Sequence, residues 1–366
     1  MRRVEDRTMH ADSYRIDRRG FFQSTGGTVA LAALAASSAS TLGSQQDEQA
    51  PQEETGDKLP ETQLPEPHLY ATGFAPASGL ALDRQDNLFV SNYRDLGAIG
   101  LISKDGTARI FCNLRELSPA EGVLPLPRGM KIDSEGRLIV ADAGAGRLLR
   151  LANDGSNVEV LADRCDGARL ERLQDVALDI VGNIFFTDTG DAEHELAEGH
   201  ELARGSVYRY SINTRKVAKL DGELSWPSGV GVTPDQTRIC VAERGARRIV
   251  VHDLSAEGTL SNRRVLALPP VLSEKPGQAE QVVTDGLQPN GFVFDTSGRM
   301  YVVTASGHVH VIDVGSGELL RQYNAGGQES TSCHFRGDYL YTAVASKEAV
   351  FRLELGVDGF GYDGLA

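Results

Sequence analysis

Six short apolar segments of this chain each open on a polar residue followed by Gly, Asp or Ser. These residues are Ser78, Arg128, Gln174, Ser228, Asn290 and the pair Thr331 and Ser332. If the segments are strands that converge on one axis, their polar first residues share one channel mouth. Hydroxyl, amide and guanidinium groups there could bind a small polar ligand. A polar ring around water needs no function, so ligand binding and plain solvation are both open.

The elements that must position these residues are copies of one phrase. The copies read GLALDRQDNLFV from Gly79, GMKIDSEGRLIV from Gly129, DVALDIVGNIFF from Asp175, GVGVTPDQTRICV from Gly229, GFVFDTSGRMYV from Gly291 and TSCHFRGDYLYT from Thr331. Each copy predicts two strands joined by a polar turn, and a second hairpin follows most copies. The starts lie 40 to 62 residues apart, which is typical of blades made from one four-stranded antiparallel sheet. The sequence therefore predicts an all-β, six-bladed β-propeller, whose last blade is completed by a strand near residues 68–74.

The residues before the repeats predict export. Arg18 and Arg19 precede a Gly and an apolar pair, a pattern similar to the twin-arginine export signature, and an Ala-rich run over 26–42 follows. We interpret residues 1–39 as a signal peptide, with an uncleaved tail as the alternative, and 40–66 as a disordered spacer. The propeller is then expected over 67–356, with a tail at 357–366, in a periplasmic or otherwise exported protein.

Composition narrows the partners. A formal net charge of −14 argues against nucleic acid and anionic membranes, which both need basic patches. The N-terminal run is too short and too polar to span a membrane. We expect a small polar substrate or ligand and a monomeric protein. No Cys-x-x-Cys motif indicates zinc or redox chemistry, and the disulfide state of four cysteines stays open: Cys112, Cys165, Cys240 and Cys333.

Several segments resemble the senescence-marker-protein/gluconolactonase family, which includes regucalcin and bacterial lactonases. The similar segments are RLQD (172–175), WPSGVGVTPDQTRICVAERGARRIVVHDL (226–254), GTLSNRRVLAL (258–268), QPNGFVFDTSGRMYVV (288–303) and STSCHFRGDYLYTA (330–343). The resemblance runs from about His68 to Leu355 and implies a hydrolase of a small sugar-type lactone or ester. A second resemblance, of PRGMKIDSEGRLIVADAGAG (127–146) to strictosidine-synthase-like propellers, implies the same fold.

The first resemblance also implies a divalent cation, often Ca²⁺, held at the channel mouth by a Glu, an Asn and an Asp. Those positions fall on Ser78, Ser228 and Asn290, and the position of a substrate-binding Asn falls on Gln174. Both carboxylates are thus replaced by neutral groups. Because ligand charge sets the affinity for Ca²⁺, we expect binding in about the millimolar range or not at all. Restoring the charges with Ser78→Glu and Asn290→Asp is expected to tighten it.

Two further substrate-binding candidates follow from the resemblance. Arg172 stands at the position of the family's substrate-binding Arg, and Glu201, by its spacing before Gly205, matches a Glu on the loop over the pocket. Arg128 joins them as a member of the polar ring. The loop over 191–205 also carries two histidines, His194 and His200, and is interpreted either as a lid or as a solvated insertion.

Acidic residues near the strand ends are the catalytic candidates. Asp175 and Asp188 lie at or near the ends of predicted inner strands, so either carboxylate could act as a general base in the channel. The alternative is that they bind turn backbones. Glu243 is a weaker candidate that is expected to pair with a neighbouring arginine, Arg244 or Arg247. His308 and His310 share one strand face, which indicates either a metal chelate or an ordinary half-exposed face.

Two functions therefore remain open. The first is a hydrolase of the lactonase type, acting with a weakly held divalent cation or with none. The second is a non-catalytic propeller that binds a small polar ligand or a protein partner. The family resemblance favours the hydrolase, and the missing carboxylates favour the binding protein. We expect the hydrolase.

Overall fold

A computed structural model describes residues 65–119, 122–190, 204–267 and 288–361, together with 59, 271–272 and 282–283. All described residues belong to one compact unit, Thr55–Ala366. The predicted signal peptide over 1–39 and nearly all of the spacer lie outside the described residues. Export and the spacer therefore stay predictions.

Antiparallel sheets of four strands make up nearly all of the described chain. Strand β1 (His68–Thr72) comes first and belongs to the last blade. Blade 1 contains β2 (Leu80–Leu82), β3 (Leu88–Ser91), β4 (Ala98–Ile102) and β5 (Ala108–Asn113), and is followed by a single helical turn, α1 (Leu114–Leu117). Blade 2 contains β6 (Pro127–Ile132), β7 (Leu138–Asp142), β8 (Arg147–Leu151) and β9 (Val158–Ala162).

The remaining blades follow the same order from the inside outwards. A short hairpin, β10 (Arg164–Cys165) and β11 (Ala168–Arg169), leads to blade 3, with β12 (Leu173–Leu178), β13 (Ile184–Asp188), β14 (Arg204–Ser211) and β15 (Lys216–Ser225). Blade 4 contains β16 (Pro227–Val232), β17 (Arg238–Glu243), β18 (Arg248–Leu254) and β19 (Leu260–Ala267). A second short hairpin, β20 (Val271–Leu272) and β21 (Val282–Val283), precedes blade 5, with β22 (Pro289–Phe294), β23 (Met300–Thr304), β24 (His308–Ile312) and β25 (Leu319–Asn324). Blade 6 contains β26 (Ser330–Arg336), β27 (Tyr339–Val344), a 3₁₀ turn (Ala345–Lys347) and β28 (Ala349–Glu354).

The ring closes by joining the two ends of the repeat region. Strand β1 pairs antiparallel with β28, with His68 opposite Arg352 and Thr72 opposite Ala349. The Arg352 guanidinium lies between the rings of Tyr70 and Tyr339, 5.7 and 5.3 Å from their centroids. Each inner strand contacts the next, and β26 contacts β2. The predicted six blades of four strands, with the last blade completed by the segment near residue 68, are confirmed.

Glycines at the first position of the phrase allow the inner strands to approach closely. A Cβ on Gly79 would lie 1.8 Å from the carbonyl oxygen of Arg128, and a Cβ on Gly229 would lie 2.5 Å from that of Asn290. Contacts this short exclude any larger residue. The pairing of a polar residue with Gly therefore marks the strands that surround the channel.

Aspartates fix the turns between the first two strands of most blades. Asp133 Oδ1 accepts hydrogen bonds from the amides of Glu135 (3.0 Å) and Arg137 (2.9 Å), and Gly136 adopts a φ of 78°. The other aspartates that open such turns form the same arrangement: Asp83, Asp179 and Asp295. These residues are turn-forming and do not face the channel mouth.

All four cysteines are buried and unpaired. Burial raises the pKa of the Cys112, Cys240 and Cys333 thiols to about 12, so none of these three is a nucleophile at neutral pH. Within the described ranges, no helix has the length and apolar character needed to cross a membrane.

Candidate functional site

The polar residues that open the inner strands meet at one end of the channel. They line a cavity of about 80 Å³, which we call the channel mouth. The structure brings every member of the predicted polar ring to this cavity. It adds four further side chains to the lining: Arg172, Asp175, Trp226 and Arg244.

Neutral members of the ring tie neighbouring blades together. Ser228 Oγ donates to the carbonyl oxygen of Pro289 in blade 5 at 2.8 Å. Asn290 Nδ2 donates to the carbonyl oxygen of Ser330 in blade 6 at 2.7 Å. Thr331 Oγ1 donates to a carbonyl oxygen beside blade 1 at 2.7 Å. These three side chains therefore have a structural role whatever else they do.

The side chain of Ser78 lies against an arginine side chain. Its hydroxyl donates to the Pro76 carbonyl oxygen at 3.2 Å and accepts a hydrogen bond from Arg128 Nη1 at 3.1 Å. Arg128 comes from blade 2, so this contact joins blades 1 and 2. The position that the family resemblance assigns to a metal-binding Glu thus holds a hydroxyl bound to a guanidinium.

The residues at the channel mouth do not fit a divalent cation. Ser78, Ser228 and Asn290 supply oxygen atoms but no charge, and ligand charge sets the affinity for a hard divalent cation. Arginine side chains line the same cavity, and their positive charge disfavours the binding of a metal cation there. Across the described ranges, no group of three His, Cys, Asp or Glu side chains is placed to hold a metal ion.

Asp175 supplies the carboxyl group of this cavity. Its Oδ1 accepts from the amide of Val176 at 2.9 Å, and its Oδ2 accepts from the amide of Val230 in blade 4 at 3.2 Å. The carboxyl packs against Gly129 of blade 2, where a Cβ would lie 2.0 Å from Oδ1. Three blades therefore hold the Asp175 carboxyl in one position.

Burial raises the pKa of Asp175 to about 6, and the positive charge of Lys131 and the two amide hydrogen bonds limit the rise. A carboxyl with a pKa near neutral can both accept and return a proton. Each oxygen accepts one backbone hydrogen bond and keeps a further lone pair for water or a ligand. Asp175 therefore has the position and the pKa of a general acid–base group.

Asp188, the second catalytic candidate, is not part of the cavity lining. Its buried carboxylate accepts hydrogen bonds from the amides of Glu171, Arg172 and Gly190, each at 2.9 Å. Asp142 holds the corresponding segment of blade 2 through the amide of Leu126 at 2.8 Å. Asp142 and Asp188 both end the second strand of their blade, and both carboxylates bind the backbone amides that precede the inner strand. Asp188 is therefore a backbone-binding residue that positions Arg172.

Glu243 occupies the equivalent strand end in blade 4. It accepts a hydrogen bond from the amide of Ser225 at 2.7 Å and forms an ion pair with Arg248. The sequence interpretation had named Arg244 or Arg247 as its partner, and the structure shows Arg248 in that role. The strand hairpin brings Arg248 directly opposite Glu243.

Arginines from three consecutive blades surround the channel mouth. Arg128 opens the inner strand of blade 2, Arg172 precedes that of blade 3, and Arg244 follows the second strand of blade 4. Arg244 stacks on the Trp226 ring, 4.9 Å from its centroid. Gln174 also lines the cavity beside Arg172.

Trp226 and Arg244 were missed as cavity residues. The polar-plus-Gly phrase marks only one residue in each blade, and both of these lie outside it. The sequence does contain a signal that could have found Arg244. The second strand of each blade ends at the channel mouth, and Arg244 directly follows such a strand end. Glu201, His194 and His200 lie outside the described residues, so their predicted roles stay untested.

The two strand histidines, His308 and His310, have ring centroids 6.4 Å apart. His310 is fully buried, and burial, aided by His308, lowers its pKa to about 4. With no third ligand among the described residues, they form part of the packed blade and supply no metal site.

The far end of the channel is narrow and aromatic. A cavity of about 20 Å³ there is lined by Phe292, Phe335 and Phe360 together with Lys131 and His334. Burial and the charge of Lys131 lower the pKa of His334 to about 3. Polar side chains are therefore more numerous at the channel mouth than at this end.

The fold and the site together define a class of protein: a six-bladed propeller with a polar cavity at one end of its channel. Residues 156–346 match the family model described as SMP-30/Gluconolactonase/LRE-like region. The match covers more than half of the chain, which therefore belongs to this family.

Relatives of known sequence agree with that assignment. A gluconolactonase from Zymomonas mobilis is 25% identical over 230 residues, which is 60% of this chain and 61% of that protein. A strictosidine synthase-like protein of Arabidopsis thaliana is 30% identical over 137 residues, which is 36% of each chain. The matched stretch thus spans less than two thirds of either relative.

Solved structures share the fold. A gluconolactonase from Xanthomonas campestris superposes with a TM-score of 0.61 at 22% identity, covering 82% of this chain and 98% of that one. A regucalcin from Agrobacterium tumefaciens, described as a calcium-binding protein, gives a TM-score of 0.62 at 16% identity, covering 81% and 96%. At these identities the likeness concerns the fold.

Proposed function

We propose that this protein hydrolyses a small lactone or ester at the channel mouth, with Asp175 as the acid–base group. Membership of the gluconolactonase family supports the reaction class. The observation that carries the proposal is the Asp175 carboxyl, held by three blades in the mouth cavity with its pKa raised to about 6.

The proposed steps use side chains that the cavity contains. Ionised Asp175 accepts a proton from a water molecule whose oxygen attacks the ester carbonyl carbon. The guanidinium of Arg128 or Arg172 donates hydrogen bonds to the oxyanion that forms. The carbon–oxygen bond of the ring ester then breaks, and the departing alkoxide takes the proton back from Asp175. The product is a hydroxy acid, and the carboxyl is ready for another cycle.

The test compares the mature protein with its Asp175→Asn variant on a panel of sugar lactones. Removal of a general base costs about 10²–10⁴-fold in rate, so the variant should lose at least about a hundredfold in kcat. Asp105→Asn, on an exposed turn, is the matched control and should keep full activity. Hydrolysis by the Asp175→Asn variant at the wild-type rate would refute the proposed role.

A binding function without chemistry is the second candidate. The specific observation in its favour is that Ser228 and Asn290 serve as ties between blades, at positions where the family resemblance implies metal contacts. Such a protein would bind a small polar ligand at the same mouth. Binding without turnover across the whole lactone panel would select this candidate.

We also propose that the protein is monomeric and exported to the periplasm. The Arg18-Arg19 pair and the Ala-rich run after it support export. Replacing both arginines with Lys should leave the precursor in the cytoplasm, as measured by cell fractionation. Unchanged secretion of that double variant would contradict the twin-arginine route. Size-exclusion chromatography tests the monomer.

A further inference from the structure

The inner strand of blade 3 is irregular at the point where Asp175 lies. The pairing of β12 with β13 shifts between Leu173 and Val176, as in a β-bulge. A bulge leaves a residue outside the ladder, so its N–H needs another acceptor. The backbone N–H of Asp175 donates to the hydroxyl of Thr187, in the second strand, at 3.1 Å. A side-chain hydroxyl therefore fixes the main chain of the proposed acid–base residue.

The same hydroxyl also joins blade 3 to blade 4. Thr187 is fully buried, and its Oγ1 donates to the carbonyl oxygen of Ser228 at 3.0 Å. Two residues further along that strand, the amide of Val230 donates to Asp175 Oδ2 at 3.2 Å. The Thr187 hydroxyl thus contacts both segments that hold the Asp175 carboxyl, one as acceptor and the other as donor.

The blade itself does not require a hydroxyl at this position. The strand registers align Thr187 with Ala141, Ala242, Val303 and Ala343 in blades 2, 4, 5 and 6. In blade 1 the equivalent residue is Ser91, whose Oγ accepts from the amides of Ser78 and Gly79 at 3.1 and 2.9 Å. Small apolar side chains therefore suffice in four blades, and the blade that carries Asp175 has a threonine.

We propose that Thr187 is a positioning residue for Asp175, whose hydroxyl fixes the carboxyl in the geometry that the reaction requires. Thr187 is buried behind the cavity and acts only through Asp175. The inference rests on the proposed hydrolysis for its kinetic consequence, because a displacement of about 1 Å in a reacting group can cost about 10²-fold in rate. The position of the carboxyl has a second consequence that does not need turnover.

That consequence is the titration of Asp175. Lys131 of blade 2 and the amide of Val230 both lower the pKa of this carboxyl against the effect of burial. Two groups of blade 6 lie near Lys131 and keep their charge state around pH 6, since the pKa of His334 is about 3 and that of Cys333 about 12. The arginines of the cavity lining also stay charged. Asp175 is therefore the group whose titration near pH 6 reports on these contacts.

Loss of the Thr187 hydroxyl should move this titration to higher pH. Without its bond to the Ser228 carbonyl, the inner strand of blade 4 is less firmly held against blade 3, and the bond from Val230 to Asp175 weakens. A hydrogen bond to the ionised carboxyl lowers its pKa, so weakening that bond raises it.

The kinetic experiment compares variants of the full chain on the lactone panel. Thr187→Val keeps the volume and removes the hydroxyl, so kcat should fall at least about tenfold, and the midpoint of the pH–rate profile should rise by at least about half a unit. Thr187→Ser keeps the hydroxyl and should restore both. Thr342→Val is the control, because it removes another fully buried hydroxyl, which donates to the Ala325 carbonyl oxygen at 2.7 Å. Its midpoint should stay at about pH 6.

Urea unfolding at several pH values repeats the test without turnover. If the wild type hydrolyses no lactone, the proposed function fails and this arm still decides the role of Thr187. Stability contributed by a group with a raised native pKa is lost as the pH rises through that pKa. In the Thr187→Val background, the difference between Asp175 and Asp175→Asn should therefore change up to a pH at least about half a unit higher than in the wild type.

Three results would overturn the proposal: an unchanged titration range of Asp175 in the Thr187→Val background, a Ser variant that fails to restore the wild-type behaviour, or an equal shift in Thr342→Val. If Thr187→Val does not fold by circular dichroism, Thr187→Ala replaces it, since alanine occupies the equivalent position in blades 2, 4 and 6.

Discussion

The Asp175→Asn substitution is expected to remove a pH-dependent cost to folding. Burial raises the pKa of this carboxyl from 3.8 to about 6, so the native protein holds the proton more tightly than the unfolded chain does. A raised native pKa gives stability that is complete below the unfolded pKa and is lost as the pH rises through the native pKa. The wild type therefore loses stability from this group mainly between about pH 4 and pH 6. The Asp175→Asn variant has no carboxyl at this position and does not show this loss of stability.

The size of the effect follows from the two pKa values. At about 1.4 kcal/mol for each pH unit, a rise from 3.8 to about 6 amounts to about 3 kcal/mol in full. About 2 kcal/mol of this falls between pH 4 and pH 8. The free energy of unfolding of the wild type, minus that of the variant, should decrease by that amount across the range. Groups that titrate alike in both proteins cancel in the difference.

The assay is urea unfolding followed by circular dichroism at several pH values. Asp105→Asn is the control, because a hydrogen bond from the Thr107 amide lowers the pKa of Asp105. Its contribution to stability is lost mainly as the pH falls below about 4, so the control difference should stay nearly constant from pH 4 to pH 8 and change only in the opposite direction. A difference between the wild type and Asp175→Asn that is flat from pH 4 to pH 8 would show that the carboxyl is not desolvated.

Two further predictions concern the metal positions and the buried histidine. Ser78→Glu with Asn290→Asp adds two carboxylates, but Arg128 lies 3.1 Å from the Ser78 hydroxyl and will pair with the new Glu. Calorimetry should therefore show Ca²⁺ binding at least about tenfold tighter once Arg128→Gln is added, and equal affinities with and without Arg128 would contradict this reading. His310 is buried with a pKa of about 4, and neither ring nitrogen meets a described protein partner. A lowered native pKa means stability lost as the pH falls from about 6.5 to about 4, so His310→Leu should gain about 3 kcal/mol more over the wild type at pH 4 than at pH 7 in urea unfolding. A gain that is the same at both pH values would show that His310 does not titrate in this way.

The architecture was predictable because the repeat is local. Most copies of the phrase carry their own turn aspartate and a polar residue before Gly, so the positions of the strands could be read directly from the sequence. The close approach of Gly79 to Arg128 shows why that signal is strict. The strand near His68 could be assigned to the last blade because an isolated blade edge needs a partner.

The chemistry of the mouth was less predictable because it depends on contacts between blades. Asp175 and Asp188 look alike in the sequence, yet Asp175 packs against Gly129 in the mouth and Asp188 binds three amides behind it. The pKa of Asp175 is raised by the burial that neighbouring blades provide, and the rise is limited by Lys131, which lies 44 positions earlier in the chain. The spacing of residues within one repeat does not show which residues of other blades will lie nearby.

The pH–rate profile of lactone hydrolysis in excess chelator tests the central claim most directly. If Asp175 is the acid–base group in a site that works through its own side chains, kcat/KM should rise tenfold per pH unit below about pH 6 and level off above it. The Asp175→Asn variant should show no such titration. Activity that chelator abolishes and Ca²⁺ restores, with no titration near pH 6, would contradict the proposed site.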